Sequence, residues 1–96
     1  MRNYECMFIL KPDLDEEVIQ QAIDRYTLII TDGQGEMVSV DKWGKRRLAY
    51  EINDLFEGYY VLMVFKCEPS VVSELDRVMK ISDGIMRFMI INKDDD

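Results

Sequence analysis

At 96 residues the chain has room for one domain and one hydrophobic core. An apolar share of 48% and a charged share of 32% suit a soluble globular protein, and a formal net charge of -7 confines any contact with nucleic acid to a local basic patch. There is no histidine, which removes the commonest general base and the commonest metal ligand.

Arg2 to Leu10 reads as a strand, rich in Tyr4, Phe8 and Ile9, and Pro12 ends it. Asp13 with Glu16 three residues on resembles a capping box and starts a helix. Val18, Ile19, Ala22, Ile23 and Tyr26 then recur at helical spacing and give it one apolar face. Thr31-Asp-Gly-Gln-Gly35 is a turn. Glu36 to Tyr50 follows as a long strand, and Gly44 in its middle predicts a bulge or sharp bend. Asn53, Asp54 and Gly58 mark a loop. Tyr59 to Cys67 is a strongly apolar strand. Pro69-Ser70 opens a second helix with Ser70 as N-cap, and Val71, Val72, Leu75, Val78 and Met79 form its apolar face. Ser82-Asp83-Gly84 breaks it, and Ile85 to Asn92 is the last strand. The order strand, helix, strand, strand, helix, strand predicts an α+β fold of the ferredoxin-like βαββαβ type. It has a four-stranded antiparallel sheet with both helices on one face. Residues 1–93 form one domain, and Asp94, Asp95 and Asp96 read as a short, solvated acidic tail.

A sheet covered on one face only should alternate apolar with polar residues. These strands do not. Tyr59, Val61, Met63 and Phe65 oppose Tyr60, Leu62 and Val64. Ile85, Met89 and Ile91 oppose Met86, Phe88 and Ile90, and Tyr4, Cys6 and Phe8 oppose Met7 and Ile9. Two helices cover one face, so the other predicts an apolar surface that docks a partner, rimmed by Arg2, Arg46 and Arg87. Cys6 and Cys67 lie inside apolar runs and read as buried, reduced thiols.

Catalytic signals are missing. Gly33-Gln34-Gly35 lacks the rest of any dinucleotide fingerprint. Asp13, Asp15, Glu16 and Glu17 fit a helix N-terminus, where acidic groups complement the helix dipole, better than a metal or acid-base cluster. Neither an enzyme, a small-molecule substrate nor a cofactor is expected. No apolar run is long enough to span a membrane. Asn3 and Glu5 interrupt the opening segment, so it does not read as a signal peptide; a cytoplasmic protein is expected.

The informative stretch is Asp41-Lys-Trp-Gly-Lys-Arg-Arg-Leu-Ala-Tyr50. Four of the twelve Lys and Arg residues, Lys42, Lys45, Arg46 and Arg47, fall within it, beside Trp43 and Tyr50. A basic, aromatic-flanked patch on an acidic body is what a protein touching nucleic acid at one edge shows. If it neutralises three or four phosphates, log affinity falls with log salt at a slope of about -3. That is a modest term, so the chain alone binds RNA weakly. A basic partner that covers the apolar face would supply the missing charge.

Trp43-Gly-Lys-Arg-Arg-Leu-Ala-Tyr-Glu-Ile52, followed by Glu57-Gly-Tyr-Tyr-Val61, resembles the family of the sixth protein of the bacterial small ribosomal subunit. Arg2-Asn-Tyr-Glu5, Ile81-Ser-Asp-Gly-Ile85 and Arg87 fit the same pattern, so the resemblance covers essentially the whole chain. It implies a structural component of that subunit, which binds the central domain of small-subunit ribosomal RNA. It also implies a heterodimer with the small basic eighteenth protein of the subunit. By position it implies RNA contacts at Lys42, Lys45, Arg46, Arg47 and Arg87, and partner contacts at Arg2, Tyr4, Leu48, Tyr50 and Tyr60. Many family members carry a longer tail along the partner, where this chain has only Asn92, Lys93 and Asp94 to Asp96.

Three other readings share the fold order. An RNA-recognition-motif strand should read basic-Gly-aromatic-small-aromatic, whereas here Glu57 stands at the basic position and Tyr60 at the small one. A self-associating small-molecule sensor explains the apolar face but not the basic run. A small phosphatase lacks a phosphate-cradling loop.

Overall fold

The computed structural model describes residues 1–94. Its elements are β1 (Arg2–Leu10), α1 (Glu16–Asp32), β2 (Glu36–Ile52), β3 (Leu55–Cys67), α2 (Pro69–Lys80) and β4 (Ile85–Asn92). The sheet order is β2-β3-β1-β4 and every pairing is antiparallel. This is the expected ferredoxin-like arrangement.

Several boundaries differ from the sequence reading for local reasons. No capping box forms at Asp13: the N-cap is Asp15, in extended conformation and without a side-chain capping bond. The helix begins where the Ile19 N–H donates to the Asp15 carbonyl at 3.0 Å, and Glu16 and Glu17 still complement its dipole. At its far end α1 runs on through Thr31 and Asp32. The Thr27 and Thr31 hydroxyls donate to the carbonyls of Ile23 and Thr27, which seats threonine inside a helix. The N-cap of α2 is Glu68, not Ser70, because Pro69 takes the first helical position, where its missing N–H costs nothing. The turn from β2 to β3 is only Asn53-Asp54, both left-handed at φ 49° and 65°. Gly58 therefore lies inside β3 and not in a loop.

The core lies between the sheet and the helices. Tyr4, Cys6, Phe8 and Leu10 of β1 and Val61, Met63, Phe65 and Cys67 of β3 meet Ile19, Ile23, Tyr26 and Ile30 of α1 and Val71, Leu75 and Met79 of α2. The Tyr26 ring meets Phe8 edge-on, with centroids 5.4 Å apart. Tyr4 stacks on Phe65 at 5.8 Å. Cys6 and Cys67 are buried free thiols, and burial pushes Cys6 up to about 12.

The opposite face carries the alternate residues: Met7 and Ile9 of β1, Tyr60, Leu62 and Val64 of β3, and Arg87, Met89 and Ile91 of β4. Met89 is 58% exposed and Ile91 45%. Ile85 departs from the set proposed for it. Ile9 and Leu10 pair with Arg87 and Ile85, so Met86 is an extra residue, and this bulge returns Ile85 to the core side.

Candidate nucleic-acid and partner interface

The basic run lies on β2, an edge strand whose register against β3 shifts three times. One shift falls between Lys42 and Gly44, the bend expected from the sequence. Gly44 has φ 84°, and a Cβ there would meet nothing within 4 Å. Backbone conformation, not crowding, makes this position suit glycine.

That bulge divides the basic residues between two faces. Lys42 pairs with Val61, a helix-side residue. Its ammonium reaches across to α1 and lies 3.2 Å from Glu16 Oε1 and 2.6 Å from Gln20 Oε1. Lys45 pairs with Tyr59 and Arg47 with Glu57, which puts both on the helix side as well. Arg46 pairs with Gly58 and lies on the open face. There its guanidinium sits over the Trp43 ring, 5.3 Å from the centroid. The Trp43 ring also stacks on Tyr60 at 6.4 Å with an 8° interplanar angle. The Trp43 indole N–H donates to the Asp41 carboxylate at 3.1 Å.

Further along, five residue steps from Arg47 to Ile52 face only two from Glu57 to Leu55. The surplus throws Leu48-Ala49-Tyr50 over the open face. Leu48 is 9% exposed and shares a small cavity with Ile9, Tyr60 and Arg87. The Arg87 guanidinium lies 5.0 Å from the centroid of the Tyr50 ring and donates to the Tyr50 hydroxyl. Arg46, Trp43, Tyr60, Arg87 and Tyr50 thus form one row, which residue-by-residue reading did not find. The flanking of the charged run Lys45-Arg46-Arg47 by Trp43 and Tyr50 was its only trace in the sequence.

Two of the expected partner residues lie elsewhere. Tyr4 is 5% exposed and packed in the core on the helix side of the sheet. Arg2 is exposed but pairs with Cys67 at the far end of β1, seven residues or about 24 Å from Ile9 and hence from Arg87. Nearby, Asp94 accepts from the Asn3 backbone N–H at 2.8 Å and from its side-chain amide at 3.0 Å. Those bonds hold its carboxyl below the usual aspartate range. The residue assigned to a solvated tail is pinned to the start of β1. Asp95 and Asp96 lie outside the described residues. Among the described residues no group of three or more His, Cys, Asp or Glu side chains is placed to hold a metal ion.

The fold and this row define a single ferredoxin-like domain, with an uncovered apolar sheet face and arginines beside aromatic rings at one end of it. The family model described as ribosomal protein S6 matches residues 3–92. The chain is 53% identical over 94 residues to the small ribosomal subunit protein bS6 of Desulforudis audaxviator, covering 98% of this chain and 100% of that one. It is 50% identical over 95 residues to the bS6 protein of Heliobacterium modesticaldum, covering 99% of each. The crystal structure of 30S ribosomal protein S6 from Thermotoga maritima superposes with a TM-score of 0.90 at 32% identity, covering 98% of this chain and 89% of that one. The chain belongs to the ribosomal protein S6 family. That is a ribosomal and not an enzymatic family, and it places the chain in the small ribosomal subunit, in the cytoplasm.

Proposed function

We propose that this chain binds the central domain of small-subunit ribosomal RNA as one half of a heterodimer with the small basic eighteenth protein of that subunit. It acts there as a single-domain structural component, with no catalytic step and no cofactor. The observation that carries this reading is the uncovered face: Leu62, Val64, Met89 and Ile91 form an apolar surface beside Arg46 and Arg87, on a chain of net charge -7. Such a surface calls for a partner, and the charge balance calls for a basic one. Leu48, Tyr50 and Tyr60 border the partner side, while Lys45, Arg46, Arg47 and Arg87 provide the cationic edge for phosphate. Lys42 counts for less, because Glu16 already engages it.

Copurification at moderate salt, with identification of the protein and RNA recovered, tests the reading. The basic partner and central-domain RNA are the expected yield. Arg46→Glu combined with Arg47→Glu should weaken RNA binding by the pair without unfolding the domain, and unchanged affinity at matched salt would refute the RNA-facing assignment.

A further inference from the structure

Trp43 is 39% exposed beside four cations, and the simplest expectation for such a ring is a platform for a nucleobase. Its surroundings argue otherwise. Tyr60 lies nearly parallel to the indole with ring centroids 6.4 Å apart, and the Arg46 guanidinium lies over the indole ring, 5.3 Å from its centroid. The indole N–H is committed to Asp41. A base stacking on Trp43 would compete with the Arg46 cation for the ring.

Arg46 also differs from the other cations of the basic run, while Arg87, which likewise lies over a ring, already donates to the Tyr50 hydroxyl. Lys42, Arg77, Lys80 and Lys93 each have a carboxylate within ion-pair distance, and among the described residues Arg46 has none. Lys45 and Arg47 point to the other side of the strand, and among the described residues neither lies over an aromatic ring. A guanidinium held over an aromatic ring makes that contact without using its N–H donors, which stay free for an oxyanion. Holding it there in advance reduces the side-chain entropy lost on binding.

We propose that Arg46 is the arginine of the basic run that grips an RNA phosphate through paired N–H donors, and that Trp43 is its positioning residue and not a base-stacking platform. This assignment rests on the ribosomal RNA reading above. Asp41 and Tyr60 fix the indole, the indole fixes the guanidinium, and the guanidinium meets the phosphate.

The test uses the full chain paired with its basic partner and titrated with central-domain RNA at fixed salt. Arg46→Lys keeps the charge but loses the flat, forked donor set, and should weaken RNA binding about tenfold. Trp43→Leu should weaken it about two- to fivefold, the range of an exposed cation–π contact. Trp43→Phe, which restores a ring, should return most of the loss. Pair formation and thermal midpoint should stay unchanged in all three. Trp43 is the only tryptophan, so its emission reports directly: saturating RNA should leave it largely unquenched, since no base stacks on it. Strong quenching, or Arg46→Lys binding RNA as well as the unsubstituted pair, overturns the assignment. So does loss of pair formation in Arg46→Lys, which would give Arg46 to the partner. Failure of the unsubstituted pair to bind RNA at all overturns the RNA reading itself, and this assignment with it.

Discussion

Lys42 Nζ lies 3.2 Å from Glu16 Oε1, a contact that ties edge strand β2 to the first turn of α1. The residue nearest Trp43 in the basic run is thereby turned away from the face that carries Arg46. Both partners are substantially exposed, so the pair contributes no more than about 1 kcal/mol to stability. Lys42→Met should lower the thermal midpoint by a few degrees at most. In filter binding with the partner present, it should cost RNA affinity clearly less than Arg46→Glu does.

Gly58 is buried under Ile9, and a Cβ added there would come 2.3 Å from the Ile9 Cγ2 atom. The Leu10 carbonyl and Leu48 Cδ2 close the site at 3.5 Å, so the ring of neighbours has little room to yield. Gly58→Ala should destabilise the domain by about 1–3 kcal/mol, the cost of overpacking. Thermal or urea denaturation measures it directly.

The buried thiols predict alkaline instability. Burial raises Cys6 from an ordinary 9.0 to about 12, and it raises Cys67 as well, with Glu68 adding to the effect. An unfolded chain ionises these thiols near 9, while the folded chain keeps its protons. Between those limits the unfolded state binds fewer protons, so stability is intact below about pH 9 and falls as pH rises toward 12. The slope should approach about 1.4 kcal/mol per pH unit for each thiol that stays protonated in the fold. Urea midpoints at several alkaline pH values, compared with those of Cys6→Ala, read out the share due to Cys6. A thiol reagent at pH 8 should react with the native protein only after unfolding.

Met89 projects from the open face near the middle of β4. Met89→Glu should leave the melting transition nearly unchanged, since the side chain contributes little to the core. It should lower affinity for the basic partner at least tenfold, because it buries a carboxylate in an apolar interface. Co-elution in size-exclusion chromatography distinguishes the two effects.

Much of the fold was legible because its punctuation is local. Pro12 and Ser82-Asp83-Gly84 delimit β1 and β4, and the observed bounds of both strands match. The helix ends were less legible. Thr31 reads as turn chemistry, yet its hydroxyl bonds back to the Thr27 carbonyl inside α1. Gly58 reads as a loop residue, although its lack of a side chain serves close packing under Ile9. The site was harder still. Gly44 announced a bulge, but not that the bulge would send Lys42 and Arg46 to opposite faces. The family pattern carried Tyr4 by position, and position does not say which face of the sheet a residue occupies.

The surplus of residues between Arg47 and Ile52 also bears on how the hairpin tolerates changes in length. Tyr50 meets Arg87 only because the chain has the right number of residues to loop over the open face and rejoin β3 at Leu55. Deleting Ala49 would pull the tyrosine ring off the guanidinium and lift Leu48 from Ile9. An insertion at Asn53-Asp54 lies beyond the last paired residues and would lengthen the tip while leaving both contacts in place. Within one short hairpin, a segment of fixed length adjoins one that is free to vary.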